Sequence, residues 1–148
     1  GAAATEALGR ALGARLRCGD LLALRGELGA GKTTLVRGVA AGMGIDPAAV
    51  RSPTFALHHV YSGGSHTLHH LDAFRLGPGA DLRTEVDLEA LLVAAVVVVE
   101  WAEYLPLSDL DPAQLRLEVA APELRVAHLD GDAPAHLRRA FQTAMAAS

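Results

Sequence analysis

The stretch that decides the fold is GELGAGKT, residues 26–33. It matches the pattern G-x-x-x-x-G-K-[ST], in which glycines let the backbone turn so that successive N–H groups point into one concave loop. An apolar run, residues 21–24, precedes it, and residues 33–43, which carry one apolar helical stripe, follow it. A strand, a glycine-rich loop and a helix in this order predict a P-loop, which holds phosphate groups at the N-terminus of its helix.

The residue types inside the loop have chemical reasons. We predict that Gly29, Ala30 and Gly31 present backbone N–H groups to the phosphates. The Lys32 ammonium would then reach the β- and γ-phosphates, and the Thr33 hydroxyl would ligate Mg²⁺. Lys32 is the only lysine among the 13 Lys and Arg residues of the chain. A compact ammonium suits this position better than a planar guanidinium, which favours a functional loop over a structural glycine turn.

Length, charge and composition narrow the class of protein. The chain has 148 residues, one cysteine and a formal net charge of −4, and we expect residues 1–148 to form a single P-loop domain. No apolar run approaches the roughly 20 residues that span a membrane, and no signal-peptide pattern is visible. The single Cys18 suits a reducing compartment, so we expect a cytoplasmic protein. The acidic charge argues against a freestanding nucleic-acid binder, which usually carries a basic face.

The remaining patterns predict an α/β fold, a P-loop NTPase-like three-layer sandwich with a mixed sheet. Short apolar or alternating runs indicate strands over residues 21–24, 55–61, 67–72, 95–100, 115–119 and 124–129. Apolar residues at helical spacing indicate helices over residues 5–16, with Thr5 as N-cap, and over 33–43, 84–92 and 134–145. We expect a parallel centre and antiparallel hairpins at its flanks.

Two acidic residues stand at the ends of predicted strands: Asp72 ends residues 67–72 and Glu100 ends residues 95–100. Ligands of open α/β sheets collect at the carboxyl ends of the strands, so both side chains are candidates to face one Mg²⁺ ion. Each is equally open to a role as a strand cap. Thr54, in RSPTF at residues 51–55, is a candidate to sense the γ-phosphate or else a turn residue after a proline.

Five histidines crowd the first predicted hairpin, namely His58, His59, His66, His69 and His70. Alternate residues of a strand point to opposite faces, so these side chains divide between two sides. No cysteine partner or helical H-x-x-x-H pair accompanies them. A solvated or hydrogen-bonded hairpin is therefore favoured over a zinc site.

Four stretches together resemble the bacterial TsaE family, the ATPase of tRNA threonylcarbamoyladenosine biosynthesis. They are GELGAGKTTLVRG at residues 26–38, RSPTF at 51–55, HLDAFRL at 70–76 and VVEWAE at 98–103. They stand in the family's order, and the last two are more specific than a P-loop alone. The final third of the chain matches only loosely. Phe74 replaces the family's usual Tyr and Ala102 a common Pro, and neither change alters the active-site pattern.

The resemblance implies an Mg²⁺-dependent ATPase with ATP as its nucleotide. Lys32, Thr33 and Thr34 would contact the phosphates and Mg²⁺. Asp72 would be the Walker B acid, and Glu100 would take part in Mg²⁺ binding. Lys32, Asp72 and Glu100 are thus the expected catalytic residues, and Thr33, Asp72 and Glu100 the expected metal ligands.

The resemblance also implies partners. Trp101 would pack near the nucleotide or a partner, and Arg125 would approach the base. The family works with TsaB and TsaD, which transfer the threonylcarbamoyl group to an adenosine beside the tRNA anticodon, so tRNA would be reached only through them. The ATPase does not perform the transfer itself, and its hydrolysis is slow alone.

Two other functions fit the residues. A P-loop small-molecule kinase would need an acceptor pocket and usually an arginine-rich lid, and no such segment follows the predicted P-loop helix. A non-catalytic nucleotide-gated binding module, with RSPTF as its switch, would bind ATP tightly without turnover. The sequence does not separate this module from a partner-activated ATPase.

Overall fold

The computed structural model describes residues 1–27, 29–50, 57–73, 82–102 and 106–147. Five α-helices and six strands follow one another along these residues: α1 Ala2–Gly13, β1 Leu21–Arg25, α2 Lys32–Gly42, β2 His58–Tyr61, β3 Leu68–Asp72, α3 Leu82–Glu85, α4 Leu88–Ala94, β4 Val96–Glu100, β5 Ala113–Ala121, β6 Leu124–Leu129 and α5 Ala135–Ala147. In this part of the chain no helix joins enough length to enough apolar character for a bilayer crossing.

The strands form one sheet in the order β2-β3-β4-β1-β5-β6. Its four central strands run parallel, whereas β2 and β6 pair antiparallel with β3 and β5 at the edges. Every residue of β4 is buried, as are the first four of β1. Strands that are covered on both faces have nearly continuous apolar sequences, which explains VVVVE in β4 and LLALR in β1.

Helices cover both faces of the sheet. The alternation of side chains sends Leu22 and Leu24 into one core with residues of α1, α2 and α5. Leu21 and Ala23 enter a second core with residues of α3 and α4. The predicted α/β three-layer sandwich, with a parallel centre and antiparallel flanks, is therefore confirmed.

Close contact between α1 and α2 requires glycine. A Cβ on Gly38 would stand 2.2 Å from the carbonyl oxygen of Glu6, and a Cβ on Gly9 would stand 2.3 Å from that of Leu35. Gly13 and Gly42, each four residues further on in its helix, meet similar obstacles at 2.2 Å. Residues four apart share one helix face, so the two backbones touch along a glycine-lined seam. This seam holds the start of α1 beside the loop between β1 and α2.

Two local predictions were wrong. Thr5 does not cap α1, because the helix starts at Ala2 after Gly1, and the Thr5 hydroxyl bonds back to the Gly1 carbonyl at 3.3 Å. The single helix expected over residues 84–92 is instead α3 and α4. The Asp87 carboxylate accepts a hydrogen bond of 3.1 Å from the Ala90 N–H and so starts a new helix.

We expect Gly38→Ala to destabilise the fold. Alanine gains about 1 kcal/mol in helix propensity, but overpacking against the Glu6 carbonyl costs about 2–3 kcal/mol, so a net loss should appear as a lower urea midpoint. Gly131→Ala is the control, since a Cβ there would meet nothing within 4 Å. A midpoint for Gly38→Ala at or above that of the unmutated protein would contradict this packing.

Candidate functional site

The glycine-rich loop joins β1 to α2 at the carboxyl edge of the sheet. Gly31 is the N-cap of α2 with φ 101°, and Gly29 has φ 82°. Gly26 has φ 152°, and a Cβ there would stand 2.7 Å from the Leu117 carbonyl oxygen. In the described residues no side chain caps the first N–H groups of α2. These N–H groups and the helix dipole therefore favour an anion at this end.

Lys32 is held inside the loop. Its side chain is buried, and its Nζ donates hydrogen bonds to the carbonyl oxygens of Gly26 and, at 3.0 Å, Glu27. The same Nζ lies 3.8 Å from the centre of the Trp101 ring, a cation–π contact. The ammonium is thus fixed by the loop's own carbonyls on one side and an indole on the other.

Trp101 adopts a backbone conformation that is rare for its type. Its φ is 61°, in the left-handed region, which costs about 1–3 kcal/mol for a non-glycine residue. It follows Glu100 directly, so the chain turns as soon as β4 ends. This turn lays the indole over the Lys32 ammonium.

Asp72 and Glu100 lie side by side at the ends of neighbouring parallel strands. They are Cα partners in the register of β3 and β4, and only 6% and 3% of their surfaces are exposed. The Thr33 hydroxyl at the start of α2 donates a long hydrogen bond of 3.5 Å to Glu100 Oε1. Two carboxylates and a hydroxyl are hard oxygen donors, the set that suits Mg²⁺.

A buried histidine completes the surroundings of Glu100. His70 is fully buried, and its Nε2 hydrogen bonds to Glu100 Oε2. Its Nδ1 lies 3.5 Å from the Tyr61 hydroxyl. Neither Tyr61 nor this role of His70 was predicted. The signal was the spacing: His70 stands two residues before Asp72, so both side chains share one face of β3.

Arg125 reaches the loop from the β5–β6 hairpin. Its Nε donates to the Gly29 carbonyl at 3.3 Å, and its Nη1 donates to the carbonyl of Pro122 at 3.0 Å. It lines a cleft of about 280 Å³ together with Gly29, Gly31 and Thr34. The expected base contact and the expected phosphate contact of Thr34 thus fall on one cleft beside the loop.

A family model described as threonylcarbamoyl adenosine biosynthesis protein TsaE matches residues 1–127. The chain belongs to the TsaE family. The tRNA threonylcarbamoyladenosine biosynthesis protein TsaE of Streptomyces coelicolor is 46% identical over 114 residues, 76% of each chain. That of Mycobacterium leprae is 42% identical over 136 residues, 83% of this chain and 82% of its own. The resemblance noted in the sequence is confirmed, and with it a role in the biosynthesis of this modified tRNA nucleoside.

A solved structure supports the TsaE-family fold. The crystal structure of Bacillus subtilis YdiB superposes with a TM-score of 0.72 at 25% identity, covering 99% of this chain and 90% of that one. The similarity therefore extends over the last third of the chain, where the sequence motifs are weakest.

The fold gathers most of the predicted site residues of this TsaE-family chain. Gly29, Ala30, Gly31, Lys32, Thr33 and Thr34 lie at the loop and the first turn of α2. Asp72, Glu100 and Trp101 lie at the ends of β3 and β4, and Arg125 stands on the far side of the loop. Thr54 and the rest of RSPTF lie outside the described residues, as does Phe74.

Two of the hairpin histidines, His58 and His69, form a hydrogen-bonded pair. His58 Nε2 and His69 Nδ1 are 2.8 Å apart on the face of the sheet opposite His70. Burial lowers the pKa of His58, and the neighbouring His69 lowers it further; burial also lowers the pKa of His69. Within the described ranges no three His, Cys, Asp or Glu side chains converge as a metal site. The His58–His69 contact is of the hydrogen-bonded kind that the sequence favours for this hairpin.

Proposed function

We propose that this TsaE-family protein binds ATP with Mg²⁺ and hydrolyses ATP in the biosynthesis of threonylcarbamoyladenosine in tRNA. One observation carries the proposal. The N-terminus of α2, with Lys32 and Thr33, opens at the edge of the sheet where Asp72 and Glu100 end their strands. The groups that we propose for phosphate binding and for metal binding therefore lie at one place.

The loop residues would hold the phosphates. The N–H groups at the start of α2 would donate to phosphate oxygens, and Lys32 would exchange a neutral carbonyl for a charged oxygen. The ammonium donor is already charged when it bonds to a carbonyl, and a charged acceptor adds the attraction between opposite charges, so this exchange favours binding. Trp101 would keep the ammonium close to the loop throughout, since the indole face attracts the cation.

Thr33, Asp72 and Glu100 would hold Mg²⁺, which suits their oxygen donors. When bound, Mg²⁺ neutralises charge that develops on the phosphate oxygens. Two buried carboxylates on adjacent strands repel one another, so a cation between them relieves an unfavourable interaction. We assign catalysis to Lys32, Asp72 and Glu100, because fixed charges matter most where charge changes during the reaction.

We further propose that the protein acts with TsaB and TsaD in the cytoplasm and does not perform the transfer itself. The net charge of −4 suits a subunit that reaches tRNA only through partners. Free Cys18 is exposed, which fits a reducing compartment. The strained turn at Trp101 lies next to Lys32, so a partner that contacts this turn would sense the loop.

Lys32→Ala should abolish measurable nucleotide binding, because no other lysine is present to replace it. Isothermal calorimetry with ATP and Mg²⁺ measures this directly. Arg138→Ala is the matched control, since it removes one positive charge from an exposed position of α5. Equal affinity in Lys32→Ala and the unmutated protein would overturn the proposed P-loop chemistry.

Binding to a purified TsaB–TsaD complex should depend on the nucleotide. A nucleotide gates a complex only if the partner prefers one state of the loop, and we expect affinities with ATP analogue and with ADP to differ about tenfold. Sedimentation with ATP analogue, ADP or no nucleotide measures the difference, and Lys32→Ala should not respond to either ligand.

Equal binding in all three conditions would contradict gating, and no binding in any would contradict the proposed partners. The fate of ATP in the assembled complex distinguishes the ATPase from the two alternative functions. Tight ATP binding without hydrolysis in the assembled complex would favour the non-catalytic module. A phosphorylated metabolite would favour the kinase.

A further inference from the structure

His70 is a fully buried imidazole with a carboxylate partner, and the proposed function gives it no task. Its side chain is 0% exposed, and that of Glu100 is 4% exposed. A buried carboxylate that lacks hydrogen-bond donors destabilises the fold, so the contact between His70 and Glu100 has an energetic reason of its own. The question is whether His70 only satisfies Glu100 or also sets the direction of its oxygens.

The two oxygens of Glu100 have different partners. Oε2 meets His70 Nε2, whereas Oε1 meets the Thr33 hydroxyl at 3.5 Å. A carboxylate oxygen offers only lone pairs, so the hydrogen between it and the imidazole lies on Nε2 and is donated to Glu100. This bond prevents rotation about the carboxylate axis and leaves Oε1 directed at the first turn of α2.

The surroundings of His70 hold the ring in place. The Tyr61 hydroxyl lies 3.5 Å from Nδ1, and the Tyr61 and His70 rings are 6.1 Å apart. His59, the register partner of His70 on β2, packs on the same side with ring centres 6.3 Å apart. Both contacts come from β2, the edge strand, so the hairpin of β2 and β3 fixes the orientation of the His70 ring.

We propose that His70 is a positioning residue for the metal site: its Nε2–H holds Glu100 Oε2 and thereby aims Oε1 at the place where Thr33 would hold Mg²⁺. This rests on the proposed Mg²⁺–nucleotide function. Hydrogen bonds to metal-binding carboxylates fix their orientation, and their loss typically costs about 10–100-fold in metal affinity. Tyr61 contacts Nδ1, the ring nitrogen of His70 that does not face Glu100.

Two amide substitutions separate positioning from simple packing. The side chain of His70→Gln places an N–H near the position of Nε2, whereas that of His70→Asn ends near Nδ1 and does not reach Glu100. His70→Asn should raise the Mg²⁺ concentration for half-maximal nucleotide binding about tenfold or more. His70→Gln should recover most of that loss. In EDTA both variants should bind the nucleotide as the unmutated protein does.

The chain supplies a matched control. His136 Nε2 contacts Asp20 at 2.8 Å, another imidazole–carboxylate pair, at the opposite end of β1. His136→Asn should leave the Mg²⁺ dependence unchanged. A double-mutant cycle adds a second readout, since His70→Asn should cost nothing further in a Glu100→Gln background if His70 acts through Glu100.

A measurement without substitutions keeps the inference testable if His70→Asn does not fold. Histidine ¹⁵N NMR should show His70 protonated at Nε2, and its Nε2 shift should move on addition of ADP with Mg²⁺ but not with ADP in EDTA. The His136 shifts should not move. A His70 that does not respond, or a His70→Asn variant with normal Mg²⁺ dependence, overturns the positioning role and leaves the proposed function standing. Nucleotide binding that is independent of Mg²⁺ in the unmutated protein overturns both.

Discussion

The register of three parallel strands decides where the chemistry of this protein sits. Leu24 of β1 and Asp72 of β3 are both Cα partners of Glu100 in β4, and the glycine-rich loop starts two residues after Leu24. Side chains alternate along a strand, so a slip of one residue would turn a carboxylate to the opposite face. The apolar runs of β1 and β4, buried on both faces, hold this register. Asp72, Glu100, the glycine-rich loop and the N-terminus of α2 share one edge of the sheet for this reason.

This arrangement brings charged side chains close together. Hydrogen bonds and a cation–π contact hold these side chains in fixed directions. Glu100 is shared between a hydroxyl on α2 and an imidazole on β3, so it links the helix layer to the sheet. Lys32 is shared between loop carbonyls and the indole of Trp101. The glycine seam between α1 and α2 fixes the helix that carries Lys32 and Thr33. Glu100 and Lys32 are thus each held in a fixed direction, which is what the electrostatic preorganisation of the proposed function requires.

The sequence predicts the strands and the loop at the centre of this structure better than it predicts the contacts that hold them in place. The glycine-rich loop between a strand and a helix, the parallel core and the strand-end positions of Asp72 and Glu100 follow from local patterns, because glycine spacing and apolar runs are themselves local. The role of His70 does not stand out in the sequence because five histidines crowd one hairpin, although its two-residue step to Asp72 marks the face that both side chains share. The glycine seam does not stand out either, despite its four-residue spacing in both helices.

Other features depend on contacts that a single sequence pattern does not contain. The Asp87 side chain divides one expected helix into two by capping, and Gly1 rather than Thr5 starts α1. The left-handed backbone of Trp101 has no local signature, because strain of this kind persists only where surrounding packing enforces it. The cation–π contact with Lys32 follows from that turn and therefore was equally hidden.

The most direct test of this account is a crystal structure with Mg²⁺ and a non-hydrolysable ATP analogue. We expect phosphate oxygens on the N–H groups at the start of α2 and Mg²⁺ about 2.1 Å from Thr33 Oγ1. Glu100 Oε1 should point to the metal or to one of its waters while His70 keeps Oε2. An analogue bound away from the loop, or a metal remote from Thr33, Asp72 and Glu100, would contradict the central claim.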